Sequence, residues 1–200
     1  MAKRMTAEDR REQIARAAAA LFARYGFSGV TTREIAKAAK VNEALLYRHF
    51  PTKEDLYTEI IRHKIAEQGD FIDDAMLSAG DDAAILSYIA RTFVEVVGDD
   101  HTFIRLLLFS ALEDHKLSTI FFDKRVGSVF PHLARYFERR TAEGAFRRMD
   151  PRIAVRAFVG MIMHYILTTE IFKMPEGMRV DREEAIMGFT NIFMEGVRAR

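Results

Sequence analysis

Residues 31–54 read Thr31-Thr-Arg-Glu-Ile-Ala-Lys-Ala-Ala-Lys-Val-Asn-Glu-Ala-Leu-Leu-Tyr-Arg-His-Phe-Pro-Thr-Lys-Glu54. Thr31 with Glu34 three residues later is a capping box, a hydroxyl for an orphan amide of the first turn and a carboxylate that reaches back to the cap. Ile35, Ala36 and Ala39 give the helix behind it an apolar stripe, Lys40-Val41 breaks it, and Asn42 caps a second short helix running to Phe50. Pro51 ends that helix, and Thr52 with Asp55 opens another expected to reach about Met76. The stretch therefore predicts helix, short turn, helix. In the second of these helices Leu46 and Phe50 share one face, Glu43, Ala44, Tyr47 and Arg48 lie around the other, and Leu45 and His49 stand between. So short a helix, carrying two aromatic rings, an Arg and a His, points to an external partner.

Outward from this stretch the chain continues to read as helix. Thr6 with Asp9 forms a further box, and Ile14, Ala18, Leu21, Phe22 and Tyr25 recur at helical spacing until Gly26. Downstream, Asp81 or Asp82 starts a helix to Val97, and His101 opens an apolar one to about Leu112. A long pattern over 117–143 contains Pro131, which implies a kink or a restart, and Gly144 closes it. Asp150-Pro151 is a cap followed by proline at the first helical position, with periodicity from Ile153 to Thr169 and an end at 175–177. Asp181 with Glu184 caps the last helix. The periodicity amounts to about nine or ten helices, with no internal repeat and no strand, so the fold class is all-α.

Two hundred residues make one generous domain or two small ones. Hydrophobic residues are 49% and charged residues 30%, which excludes a disordered tail. Gly and Pro together are 15 of the 200 residues, below the roughly 12% of an average protein, so long elements are expected. The absence of Cys excludes disulfide scaffolds, thiolate zinc sites, iron–sulfur clusters and cysteine nucleophiles, and fits a reducing cytoplasm. The first residues carry charges with no apolar stretch behind them, which is not a secretory signal. The apolar stretches 103–112 and 158–167 are interrupted by Arg105 and His164 and fall short of the roughly 18 residues of a span, so no membrane partner is expected. Charge is divided: residues 1–53 hold 11 Lys and Arg against 5 Asp and Glu, an excess of six, and since the whole chain is +1 the remainder carries −5. A small basic segment on an acidic body suggests that the segment meets a polyanion.

The quoted stretch, together with Ala19-Leu-Phe-Ala-Arg-Tyr-Gly-Phe27 before it, resembles the DNA-binding signature of the TetR family of transcriptional regulators. The resemblance covers about residues 10–57, while the rest resembles the family in length and helical character. It implies a helix-turn-helix DNA-binding domain over 1–53 and a helical effector-binding and dimerisation domain over 54–200. It puts Asn42 to His49 in the major groove, with Glu43, Ala44 and Leu45 at positions that face bases, and Thr32, Tyr47, His49 and Lys53 at positions that touch the backbone. Arg48 serves either backbone or guanine, and Thr31, Arg33 and Asn42 complete the DNA-facing set. The chemistry of two of these residues agrees, since Lys53 sits at a helix start whose amides favour phosphate and Tyr47 presents a phenol. A packing role for Tyr47 and His49, or a solvated charge at Lys53, is the alternative. Two positions depart from the family pattern. The turn position commonly Gly is Lys40, which then adopts a left-handed conformation at roughly 1 kcal/mol, and the small Gly early in the recognition helix is Ala44.

The last two helices are apolar on more than one face, which suggests a second chain, and the resemblance implies a two-fold four-helix bundle. Phe158, Ile162, Ile166, Ile186, Phe189, Ile192 and Phe193 are the expected homodimer residues. Phe103, Leu107, Phe121, Phe122, Phe130, Met161, His164, Tyr165, Thr168, Thr169 and Phe172 are the expected effector-cavity residues, each with core packing as its alternative. Such a lining favours a lipophilic or aromatic small molecule. His101 and His115 lie near several acids, but no ligand spacing supports a metal. Phosphate loops, nucleophile elbows and dinucleotide fingerprints are absent, so neither cofactor nor enzyme activity is expected. The reading is a cytoplasmic, ligand-responsive regulator, a repressor released from a palindromic double-stranded operator by its effector. An effector-independent DNA-binding protein and a helical carrier or enzyme are the alternatives.

Overall fold

A computed structural model describes residues 5–67, 72, 76–78, 81–98, 101–113 and 127–199. These fall into two compact units, one within 1–67 and 102–122, the other within 68–101 and 123–200. The first unit thus holds the whole helix-turn-helix segment and extends past residue 53. Its helices are α1 (Ala7–Tyr25), α2 (Thr32–Ala38), α3 (Glu43–His49), α4 (Lys53–Glu67) and nearly all of α6 (His101–Leu112). The second holds α5 (Asp82–Gly98), α7 (Gly127–Ala142), α8 (Pro151–Ile166) and α9 (Arg182–Val197).

Capping chemistry sets the helix starts. Thr6 and Asp9 exchange hydrogen bonds of 2.9 and 3.1 Å at α1, Thr31 and Glu34 do so at α2, and Thr52 and Asp55 at α4. The boxes hold the Asp9 and Glu34 carboxyls below the usual carboxylate range, first through the backbone hydrogen bond from the cap and then through its hydroxyl. Asp150 caps α8 with Pro151 behind it, and Asp181 accepts from the amides of Glu183 and Glu184 at α9.

In the first unit Ile14, Phe22, Ile35, Leu46, Phe50, Leu56 and Ile61 are buried around a cluster of three rings, with Phe22 at 4.9 Å and Phe27 at 5.3 Å from Tyr57. Each such buried side chain contributes about 1.5–3 kcal/mol. The Tyr57 phenol donates to the Leu106 carbonyl at 2.8 Å, and burial, with the Glu113 carboxylate nearby, raises its pKa. It remains a protonated donor, which ties α4 to α6.

The second unit packs Leu86, Ile89, Leu133, Phe137, Val155, Phe158, Ile162, Ile166, Ile186 and Phe193 into one core. Arg140 grips Asp82 through Nε at 2.8 Å and Nη2 at 2.7 Å, and Asp82 also accepts from the Tyr136 hydroxyl. Arg147 and Ala199 close a short antiparallel bridge between Phe146 and Arg198.

Three element limits differ from expectation. Helix α4 spans Lys53–Glu67, residues 68–71 and 73–75 lie outside the described residues, and Met76–Ser78, where the helix was expected to end, is a 3-10 turn. Pro131 lies inside α7 at its fifth residue, where its missing amide removes only the bond to the first carbonyl; the earlier part of the expected helix, before residue 127, lies outside the described residues. Helix α8 gives way at Ile166 to a π turn, Leu167–Ile171. There the Thr168 hydroxyl donates to the carbonyls of His164 at 2.8 Å and Tyr165 at 3.2 Å, competing with the regular ladder. With this turn the apolar helix Pro151–Ile171 is long enough to cross a membrane by length and composition. Phe158, Ile162 and Ile166 on it are buried in the unit's own core, and Arg152 and Arg156 are exposed on it, which is the pattern of a core helix.

Candidate nucleic-acid interface

The α2–α3 segment is held by local and distant bonds together. The Val41 amide returns to the Ala36 carbonyl at 2.9 Å, and Lys40 takes φ of 54°, the left-handed conformation its place in the turn requires. Gln13 of α1 donates to the Ala39 carbonyl at 2.9 Å. Asn42 caps α3 by accepting from the Leu45 amide at 2.7 Å. At the other end of α3, Arg11 donates to the His49 carbonyl at 2.9 Å, lies 4.3 Å from the Phe50 ring centroid and pairs with Glu59 at 3.3 Å.

Leu46 and Phe50 anchor α3 in the core, while Glu43, Ala44, Tyr47 and Arg48 are exposed and Leu45 and His49 are half-buried. Thr31, Arg33 and Asn42 are exposed at the same segment, and Thr32 is half-buried. The hydroxyl of Thr32 bridges the two helices, accepting from Tyr47 Oη at 3.2 Å and donating to Glu43 Oε2 at 3.2 Å. Arg33, Lys37, Lys40 and Arg48 are exposed and form no ion pair among the described residues. Lys53 is different. Its half-buried ammonium donates to the carbonyls of Phe27 at 2.8 Å and Val30 at 2.9 Å and lies 4.2 Å from the Phe27 ring centroid.

Sequence reading had no signal for Arg11 and Gln13, which clamp the segment from 38 and 26 residues away. Lys37 was legible as a charge on α2 but carried no motif.

The expected effector residues are distributed. Phe103 is buried in the first unit and Leu107 packs against that core. In the second unit Tyr165 is buried, Phe130 and Met161 pack against the core, Thr168 and Thr169 are half-buried, and His164 and Phe172 are exposed. Burial, followed by the Glu170 charge, raises the Tyr165 pKa, and its hydroxyl donates to the Val180 carbonyl at 3.2 Å. Phe121 and Phe122 lie outside the described residues. Of the expected dimer residues, Phe158, Ile162, Ile166, Ile186 and Phe193 are buried in their own unit, Phe189 is half-buried and Ile192 is 63% exposed. Ile153 and Met187 are also exposed, on α8 and α9. No group of three or more potential metal ligands occurs among the described residues.

A capped helix pair, with the second helix anchored by two apolar residues and presenting polar groups beside unpaired cations, is a helix-turn-helix of the DNA-binding kind. Comparison with known proteins agrees. Residues 14–60 match the family model of the bacterial regulatory proteins of the tetR family, and residues 84–195, more than half the chain, match that of the C-terminal domain of AefR-like transcriptional repressors. The chain belongs to the TetR family, with a C-terminal domain of the AefR-like type. The HTH-type transcriptional regulator LuxR of Vibrio harveyi is 28% identical over 97 residues, 48% of this chain and 47% of that protein. The HTH-type transcriptional repressor KstR2 of Rhodococcus jostii is 32% identical over 93 residues, 46% of each chain. The chain thus spans about half the length of these curated relatives. The structure of AibR, solved in complex with isovaleryl coenzyme A and operator DNA, superposes with a TM-score of 0.72 over 92% of this chain and 97% of that one. At 22% identity this likeness shows the fold alone.

Proposed function

We propose that this chain is a ligand-responsive repressor that binds a palindromic operator as a homodimer and is released by a small effector with an apolar or aromatic body. The observation that carries the reading is the exposed face of α3, whose Glu43, Ala44, Tyr47 and Arg48 project from a helix fixed by Leu46 and Phe50, in a segment that also exposes the unpaired cations Arg33, Lys37 and Lys40. In this reading Glu43, Ala44 and Leu45 meet base edges, Thr32, Tyr47, His49 and Lys53 meet phosphates, and Arg48 meets either. Thr31, Arg33 and Asn42 border the same surface. Each protomer supplies one reading helix, so the half-site centres lie about one DNA turn, roughly 34–36 Å, apart or somewhat more. Ile153, Met187 and Ile192 are the exposed apolar groups that support a partner on α8 and α9.

The naming of KstR2 as a repressor, and of AibR as bound to both an acyl coenzyme A and operator DNA, supports the regulatory half. The effector residues proposed are Phe130, Met161, Tyr165, Thr168 and Thr169 of the second unit, with Phe103, Leu107, Phe121, Phe122, His164 and Phe172 as further candidates. A regulator of this kind works in the cytoplasm, where the chromosome is, and family membership in both halves supports a regulator over an enzyme or carrier.

Selection of duplexes from random DNA by the full chain tests the first half: a recovered palindrome, bound in a salt-sensitive manner, is the expected result. For the second half, isovaleryl coenzyme A and a panel of aromatic and fatty acids are titrated into free protein and into protein preloaded with the recovered duplex. An inducer must bind the preloaded protein more weakly, by the factor through which it weakens DNA binding, typically about 5 to 150-fold. Equal affinity in the two titrations, for every compound that binds, removes the effector-release reading.

A further inference from the structure

The hydroxyls of Tyr47 and Thr32 are 3.2 Å apart on neighbouring helices, and the one that accepts is itself bound to a carboxylate. A hydroxyl carries one proton. Tyr47 gives its proton to Thr32, and Thr32 gives its own to Glu43, so both protons run toward the carboxylate and neither is left for a second anion. No cation pairs with Glu43 among the described residues, and its charge stands exposed in the segment that also exposes Arg33, Lys37, Lys40 and Arg48. A carboxylate so placed opposes phosphate at the hydroxyl pair that is otherwise best suited to receive one.

We propose that Glu43 is a specificity gate, resting on the reading of this face as the DNA-binding surface: its carboxylate withholds from phosphate the Thr32 hydroxyl, on which Tyr47 donates, until a base-edge amine draws it away. In the major groove only cytosine N4 and adenine N6 offer such an amine. Where one stands opposite α3, the carboxylate leaves Thr32 and the Thr32 proton turns to a phosphate, while Tyr47 goes on donating to Thr32 Oγ1 and polarises it as a donor. On DNA without that amine the carboxylate stays, and the duplex loses a base contact and a phosphate donor together. Discrimination then contains a repulsive element as well as an attractive one. Thr32 is the positioning residue of the device, since it aims Glu43 and carries the proton that is released.

The test uses the full chain as wild type, Glu43→Ala, Thr32→Val and the double variant. The duplexes are one recovered from random DNA by the wild type and a scrambled duplex of the same composition. Melting curves that match the wild type establish that the substituted chains are folded. Glu43→Ala is expected to tighten binding to the scrambled duplex by roughly three- to tenfold and to steepen its salt dependence by about one phosphate contact. Its preference for the recovered duplex falls at the same time. In the Thr32→Val background there is no hydroxyl to release, so the tightening shrinks to about twofold, the part due to charge alone. Equal tightening in both backgrounds, or none in either, overturns the gate while leaving a sequence-selective wild type as a DNA-binding protein. A wild type that recovers no duplex overturns the DNA-binding reading, and the gate with it.

Discussion

The Glu113 carboxylate, just past the end of α6, accepts from the Phe27 amide at 3.1 Å and from the Ser28 amide at 3.3 Å, 86 and 85 residues away in the chain. These amides lie in the turn after α1, beside Gly26 at φ of 76°. A Cβ at Gly26 would collide with Glu113 Oε1 and lie 3.0 Å from Phe109 Cδ1. Gly26→Ala therefore combines a left-handed strain with displacement of the carboxylate that caps the turn, and is expected to lower stability by about 2 kcal/mol or more. Glu113→Ala orphans the two amides and is expected to lower it by about 1–2 kcal/mol, with Glu113→Gln between that and wild type. Urea unfolding of the three variants measures this, and Gly26→Ala unfolding with the wild type would show that neither the backbone strain nor the carboxylate contact contributes.

Lys53 carries a second expectation. Its ammonium holds two backbone carbonyls and lies over the Phe27 ring, so its removal disturbs the turn between α1 and α2 as well as any phosphate contact. Lys53→Ala is expected to lower stability by about 1–2 kcal/mol and to weaken binding to all duplexes alike. Unfolding and DNA titration on the same preparation separate the two effects. Weaker DNA binding at unchanged stability would mean that the carbonyl contacts contribute nothing.

At Lys40 the backbone takes φ of 54°, a conformation that costs a side chain roughly 1–2 kcal/mol and glycine much less. Lys40→Gly is expected to raise stability by up to about 1 kcal/mol, reduced by the entropy of the freer unfolded chain, and to weaken DNA binding through the lost charge. Thermal melting and a salt titration of DNA binding check the two directions. A fall in melting temperature would show that the entropy of the freer unfolded chain, or packing by the Lys40 side chain, outweighs the relieved strain.

The helix-turn-helix was legible because its determinants are local. Thr31 and Glu34, or Thr52 and Asp55, act three residues apart, and the α3 faces follow from the 3.6-residue period alone. The residues that clamp this segment were not legible. Arg11 on His49, Gln13 on Ala39 and Glu113 on Phe27 join positions whose separation leaves no trace in any periodicity. The π turn was hidden for another reason, because Thr168 fits a helical pattern while its hydroxyl takes two carbonyls of the preceding turn. The apolar faces of α8 and α9 were visible, but a period cannot tell a neighbour in the same chain from a second chain. Phe158 and Phe193 face each other at 5.1 Å inside the unit, whereas Ile192 on the same stripe faces outward.

That division can be tested by substitution. Ile192→Glu places a charge on an exposed position, and if α9 meets a second copy the dimer should dissociate at micromolar concentration with little change in the monomer's helical content. Phe158→Ala empties a fully buried site and is expected to lower stability by about 3–5 kcal/mol whatever the oligomeric state. Sedimentation velocity reads the first and urea unfolding the second. An Ile192→Glu chain that remains dimeric moves the interface away from this face of α9.

Asp150 gives the acid dependence of α8. The Arg152 guanidinium bonded to its carboxylate, followed by the Arg152 backbone amide, holds its pKa down at about 2. The value in an unfolded chain is about 3.9. Between these two values the folded chain keeps the carboxylate charged while the unfolded chain takes up a proton, so acid favours unfolding. The stability from this group is fully present above the unfolded value and is lost as pH falls from there through about 2. Asp150→Asn keeps a side chain that caps a helix well and removes the titrating charge. Other carboxylates titrate in the same range, so the informative quantity is the difference in melting temperature between wild type and Asp150→Asn. It is expected to be constant from pH 7 to about pH 5 and to narrow as pH falls toward 2. Asp150→Ala, which loses cap and charge together, should melt below both near neutral pH. A wild-type advantage over Asp150→Asn that persists undiminished into strong acid would show that the Arg152 contact does not act through the charge on Asp150.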